Sequence, residues 1–226
     1  KRRELSPEAW QEIGAGLASA GKEVVLSTQA LMEADSELAT LNRICANGRF
    51  PVEANDMAAV RLAAGQGPFV VGPHVNIYNP QALGVMAGRG AVRWVPPVEL
   101  SREALADLQA ERPPGMETEV FAFGRLPLAF SARCFTARFH DLPKDRCGFR
   151  CREDPEGRAL YTQEGEPLFT INGVQVQSST PSNLIREVPE LRHLGVEVAR
   201  IDPHPTATGE VIEAFREVAD GRRDPS

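Results

Sequence analysis

No stretch of the 226 residues approaches the ~18 uninterrupted apolar residues that a spanning helix requires, which excludes a helical membrane protein. Basic residues are not in excess. The chain has 25 Lys+Arg against 31 Asp+Glu, a net charge of −6, so it lacks the overall basic balance of a general nucleic-acid binder. No Gly-x-Gly-x-x-Gly follows the first complete strand-like run, which leaves a dinucleotide-binding fold without local support. Gly-x-Ser-x-Gly and His-Glu-x-x-His are both missing, so hydrolysis by a serine elbow or a zinc helix has no motif here, and Ser131 near His140 does not supply one. Gly88-Arg89-Gly90 reads as a helix end and a turn rather than a phosphate cradle. Low-complexity tracts and close internal repeats are absent too.

What is present is ordinary globular composition. Hydrophobic residues make up 42 %, enough apolar surface to offset the entropy of ordering, so disorder is not the main state. The basic opening Lys1-Arg2-Arg3 is followed by no apolar h-region, and Ser6-Pro7-Glu8 reads as a capped helix start. The polar tail from Asp220 reads as frayed.

Six apolar runs then recur, most with a helical pattern behind them. They are residues 22–27, 49–54, 68–72 (extending to Tyr78), 91–95, 117–123 and 196–201. The helices are expected at about 33–46, 56–64, 80–88, after Ser101 as cap, and 209–219. Strands 18 to 28 residues apart with helices between them are the pattern of βαβ units and a parallel sheet. The expected fold is α/β, an incomplete (β/α) TIM-like barrel forming one domain over residues 1–226. Polar side chains then gather at the C-terminal strand ends. A closed barrel of this kind takes about 250 residues, so the chain reads as part of one.

The rhythm breaks between residues 130 and 180. Three short strand-like runs follow one another there, with Asn172-Gly173 as a type I′ hairpin signal, which predicts an inserted antiparallel β-meander. The same insertion holds Cys134, Cys147 and Cys151 in a C-x12-C-x3-C pattern. Their neighbours are polar and basic (Arg133, Arg138, His140, Arg146, Arg150, Arg152), a poor setting for inert core thiols. Three cysteines leave one over from any disulfide pairing, and nothing in the sequence indicates secretion. Metal ligation remains. Cationic neighbours favour thiolates, and irregular all-thiolate spacing favours an iron–sulfur cluster, although spacing alone leaves zinc open. Cys45 reads differently: with Leu38 and Leu41 it forms an apolar stripe on the second helix and is expected in the core.

Candidate pocket residues lie at strand ends. Glu53 and Asn55 share a face by period-two alternation, and His74 and Asn76 are expected to do the same. Glu99 closes the fourth strand and Glu119 opens the fifth. Glu53 and Glu99 converging with His74 would suit substrate binding or proton transfer. Asp56 and Ser101 read as helix caps.

The run from Glu119 through Phe121, Gly124, Leu126 and Ser131 to Cys134 resembles the collagenase-like U-type peptidase family, whose signature is E-x-F-x-x-G-[SA]-[LIVM]-C-x4-G-x-C. Pro127 stands where the signature has its first Cys, and Ala132 where it has Gly. Those departures, with Pro143-Lys144-Asp145 before Cys147, Glu53-Ala54-Asn55-Asp56, Pro97 to Arg102 and Leu168 to Gly173, are similar to the UbiV branch of that family. The resemblance implies a [4Fe-4S] cluster on Cys134, Cys147 and Cys151, with a fourth ligand upstream of Lys1. It also implies a heterodimer with a UbiU-like protein, cytoplasmic and without a membrane span, supporting oxygen-independent hydroxylation in anaerobic ubiquinone biosynthesis. A small acidic hydroxyl donor, prephenate, and a quinone precursor would be its small molecules. A non-catalytic partner subunit with a structural cluster, or a peptidase or RNA-modifying member of the family, are the alternatives. No catalytic set supports peptidase activity.

Overall fold

The structure, a computed structural model, describes residues 5–143, 146–204 and 206–225. The Lys1–Arg3 stretch and the Lys144–Asp145 pair quoted above lie outside the described residues. The chain divides into two compact units, residues 1–118 and 119–226.

The first unit alternates helix and strand: α1 (Pro7–Ser19), β1 (Leu26–Ser27), α2 (Asp35–Cys45), β2 (Val52–Ala54), α3 (Met57–Ala63), β3 (Phe69–Val71), α4 (Pro80–Ala87), β4 (Ala91–Trp94) and α5 (Arg102–Ala110). The strands β1 to β4 pair in sequence order, all parallel, and β4 pairs with the start of β5 (Glu117–Phe130). Parallel strands with helices on their faces are buried on both sides, which is why Phe69-Val70-Val71 is an unbroken apolar run. Four helix starts are set by side-chain caps. Ser6, Asp56, Asn79 and Ser101 accept the N–H groups of Ala9, Ala58, Ala82 and Ala104 at 3.2, 2.6, 2.8 and 3.2 Å. Phe69, Val71, Leu83, Trp94 and Val95 are fully buried in this unit's core.

Along β1 to β5 the register partners run Ser27, Glu53, Val70, Arg93, Glu117, a single row on one face of the parallel sheet. Arg93 is buried in that row. Its Nε donates to Glu117 at 2.8 Å and its second amino group to Glu23 at 3.0 Å. Thr118, also fully buried, donates to the Gln109 side chain and accepts from Arg112.

The second unit is built on the remainder of β5. That strand pairs parallel with β9 (Val198–Ile201) and antiparallel with β8 (Gln175–Asn183). The sheet continues through β7 (Pro167–Asn172) to β6 (Arg158–Tyr161). The helices are α6 (Phe135–Phe139), α7 (Val188–His193) and α8 (Thr208–Ala219). Ala122, Val188, Phe215 and Val218 form its core, with Phe123 edge-to-face on Phe215 at 6.2 Å.

Four expectations change. The run after β3 does not stay extended to Tyr78: Pro73 starts a 3₁₀ turn (Pro73–Val75), and Asn76 is left-handed at φ 61°. His74 and Asn76 therefore do not share a strand face. The fifth strand runs on to Phe130, because register shifts on either side of Pro127 absorb a residue that cannot donate to the ladder. The hairpin turn is Gly173-Val174, not Asn172-Gly173, with Gly173 at φ 65° and Asn172 still paired to Gln175. On α2 the buried positions are Glu37, Leu41 and Cys45, while Leu38 is exposed. Glu37 is tolerated because its carboxylate accepts the Glu33 N–H, a reach back across the helix start. Cys45 is buried as expected, and burial pushes its thiol pKa up.

Candidate functional site

Because β1 to β4 are parallel, their C-terminal ends lie on one edge of the first unit, where open α/β sheets and barrels carry their chemistry. At the ends of β1 and β2 three polar side chains bind one another. Ser27 Oγ donates to Glu53 Oε1 at 3.0 Å. Asn55 Nδ2 donates to the same carboxylate oxygen at 2.8 Å and to Ser27 Oγ at 3.0 Å. Thr28 completes the set: its Oγ1 accepts the Asn55 N–H, and its carbonyl accepts from Asn55 Nδ2. Glu53 is 5 % exposed and Asn55 3 %, while Ser27 faces solvent. Alternation along β2 places Glu53 and Asn55 on one face, and the structure joins them directly.

Asn55 Oδ1 is buried and has no hydrogen-bond partner among the described residues. It sits against Gly72, where an added Cβ would lie 2.1 Å from Oδ1 and 3.1 Å from the Ala54 carbonyl. Gly72 is thus the residue that lets β3 close on the Asn55 side chain.

The loops after β3 and β4 bring a second pair together. The Tyr78 phenol donates a hydrogen bond to Glu99 Oε1, and both side chains are exposed. The bond to Glu99, with smaller contributions from burial and from the carboxylate's charge, holds the phenol above its ordinary range. A phenol whose pKa is raised on folding adds stability below its unfolded value, about 10, and that contribution is lost as pH climbs through the folded value. Only two tyrosines are present. The tyrosinate absorbance of the protein minus that of Tyr78→Phe should therefore rise above pH ~10, and Glu99→Gln should move that rise to lower pH. A difference curve that ignores Glu99→Gln would show the pair is not formed in solution.

His74 is half-buried on the 3₁₀ turn after β3, and Asn76 is exposed beyond it. Glu119 belongs to the second unit and is nearly buried there, where it accepts from Arg200 Nε at 2.6 Å on the neighbouring strand. Ser27 and Thr28 fall in Val25-Leu26-Ser27-Thr28, a stretch similar to the same branch of the family, whereas Gly72 and Tyr78 had no motif to mark them. Position alone, at strand ends and just beyond, is the signal that could have found them.

The cysteines lie in the second unit. All four of the chain are thiols, none in a disulfide. Cys134 caps α6, its Sγ accepting the Ala137 N–H at 3.4 Å. Cys147 follows in a loop, and Cys151 sits in a 3₁₀ turn (Arg150–Arg152) that lies against α6. Each of these three is half-buried. His140, at the end of α6, has a buried Nε2 with no hydrogen-bond partner among the described residues. In kind this donor set fits an iron–sulfur group: soft thiols on a short irregular segment. In arrangement, no three His, Cys, Asp or Glu side chains among the described residues lie close enough to hold a metal ion.

These two units define a mixed α/β protein with a polar constellation at parallel strand ends and a separate thiol-bearing segment. Residues 1–224 match the family model of peptidase family U32, and the chain belongs to that family. No solved structure matches the chain. Among the described residues no helix is long and apolar enough to cross a membrane.

Proposed function

We propose that the chain is an iron–sulfur protein of the UbiV branch of this family, supporting oxygen-independent hydroxylation in ubiquinone biosynthesis with a UbiU-like partner. On this reading it is a cytoplasmic component of a hydroxylase complex, and its strands are part of an incomplete (β/α) TIM-like barrel carrying an insertion at 130–180. The observation that carries the proposal is the set of three half-buried thiols within one segment of a U32-family chain. Cys134, Cys147 and Cys151 would hold a [4Fe-4S] cluster. A bound cluster would supply one-electron chemistry.

The chain's own contribution is sought at the C-terminal edge of the first unit. Glu53, Asn55, His74, Asn76 and Glu99 are the proposed substrate-facing groups, with Tyr78 added by its bond to Glu99. Tyr78 and Glu99 suit proton handling because a solvent-facing phenol donates to a carboxylate. Glu119 is held by Arg200, and its part is to position β5 against β9.

Anaerobic reconstitution tests the cluster. Iron and acid-labile sulfide should each reach about four per chain, fall sharply in Cys147→Ala, and stay unchanged in Cys45→Ala, since Cys45 is a core residue. Zinc as the sole bound metal, or equal loss in both variants, would overturn the assignment. With the cluster intact, Glu99→Gln should lower hydroxylation by the reconstituted pair by about a hundredfold, the usual scale of a lost acid–base group. Full activity would leave the chain a structural subunit.

A further inference from the structure

The segment from Phe130 to Leu160 is out of character with the chain around it. It carries seven Lys+Arg against five Asp+Glu, while the whole chain stands at −6. Arg150 is paired with Glu153 and Arg158 with Asp154. Arg133, Arg138 and Arg146 are exposed and form no ion pair with any described residue. Among these charges stand exposed apolar groups. Phe135 and Phe139 are four residues apart on α6 and so share a face. Phe139 is 66 % exposed, yet the Arg158 guanidinium stands over its ring, 3.7 Å from the centroid. Leu160, exposed, follows Arg158 by two residues on the same face of β6.

Exposed aromatic rings against an arginine, with further unpaired arginines in the same segment, are the composition of a protein docking surface. The charges select the occupant. An isologous contact between two copies would bring this basic face against the same basic face, a like-charge arrangement that costs affinity. A nucleic acid would meet a segment of net +2 on a chain of −6, too little for phosphate-driven binding. We propose that this face docks a different protein chain, one presenting carboxylates around an apolar centre. The inference deepens the partner half of the reading above and rests on it only for the existence of a partner, not for the cluster.

The test places a photoreactive phenylalanine analogue at position 139 of the full chain in its source cells. The expected product is one protein adduct whose linked peptide is rich in Asp and Glu. Its yield should fall about tenfold in the Arg133→Glu/Arg138→Glu background, the effect of reversing two charges at an interface rim. It should persist in Arg133→Lys/Arg138→Lys, which keeps the charge and controls for folding. Equal yield in the charge-reversed protein, an adduct with a second copy of this chain, an RNA adduct, or no adduct would each overturn the proposal. The adduct should also form with Cys147→Ala. A parent chain that reconstitutes without a cluster yet gives the adduct would sink the cofactor assignment and leave the docking face standing.

Discussion

Gly72→Ala should destabilise the protein by about 3 kcal/mol and break the Ser27–Glu53–Asn55 hydrogen bonds together. The sign is the informative part. Gly72 has φ −76° and ψ 166°, an extended conformation any residue adopts. At such a site alanine ordinarily stabilises by about 0.4–1 kcal/mol, by narrowing the unfolded ensemble. Here the new methyl would lie 2.1 Å from Asn55 Oδ1 and 2.7 Å from its Cγ. Asn55 is 3 % exposed and its Nδ2 is engaged by Ser27, Glu53 and the Thr28 carbonyl, so it cannot swing aside without abandoning all three. Two or three hydrogen bonds at roughly 1 kcal/mol each, plus overpacking, outweigh the entropic gain. If that account is right the clash is specific to Asn55. In the Asn55→Ala background Gly72→Ala should cost about 2 kcal/mol less than it does alone. Denaturant midpoints of the four proteins check this. A single variant within ~0.5 kcal/mol of the parent, or strictly additive costs, would refute it.

How much of this could be read from the amino acids depends on the range of the interaction. Helix starts were legible because a cap is a local device: Asp56 and Ser101 accept N–H groups two or three residues ahead. The parallel strands were legible because burial on both faces leaves a continuous apolar run. Glu53 and Asn55 were legible as a pair because alternation is a property of one strand. Where the reading failed, a longer-range term had won. Gly124 and Pro127 look like strand breakers, but Gly124 pairs in regular register with Ser182, and register shifts on either side of Pro127 carry β5 past it. Leu38 is the more apolar residue, yet Glu37 is buried because its carboxylate has a backbone donor to satisfy it. Pro73 turns the chain out of β3, so alternation stops one residue before His74 needs it. Tyr78 and Glu99 are 21 residues apart on different loops, and no local pattern encodes their meeting. The polar row across the sheet has the same character. Ser27, Glu53, Arg93 and Glu117 come from separate units of the sequence, and only the strand register aligns them.

That row yields an asymmetric result: Glu23→Gln/Glu117→Gln should cost about 3 kcal/mol, and Arg93→Met about 1 kcal/mol. The asymmetry follows from where each partner stands with respect to water. The Arg93 side chain is 10 % exposed, whereas those of Glu23 and Glu117 are 62 % and 45 % exposed. Burial by itself would make the guanidinium easier to deprotonate, but the bonds from Glu117 and Glu23 outweigh it and hold the group charged. Taking away both carboxylate charges deprives the buried cation of the two carboxylates that hold it charged, and the penalty is that of a poorly compensated charge. Taking away the arginine instead leaves two carboxylates that water can solvate where they are. Methionine then fills much of the volume of the arginine stem among Val70 and the strand backbone. The order of the two costs is therefore fixed by burial, not by the number of bonds lost. Thermal and denaturant unfolding of the two variants decide the matter. A larger loss in Arg93→Met would mean that the guanidinium's value lies in its bonds to the two carboxylates. The row would then act as a clamp on β4 and β5 rather than as a charge that the sheet has to accommodate.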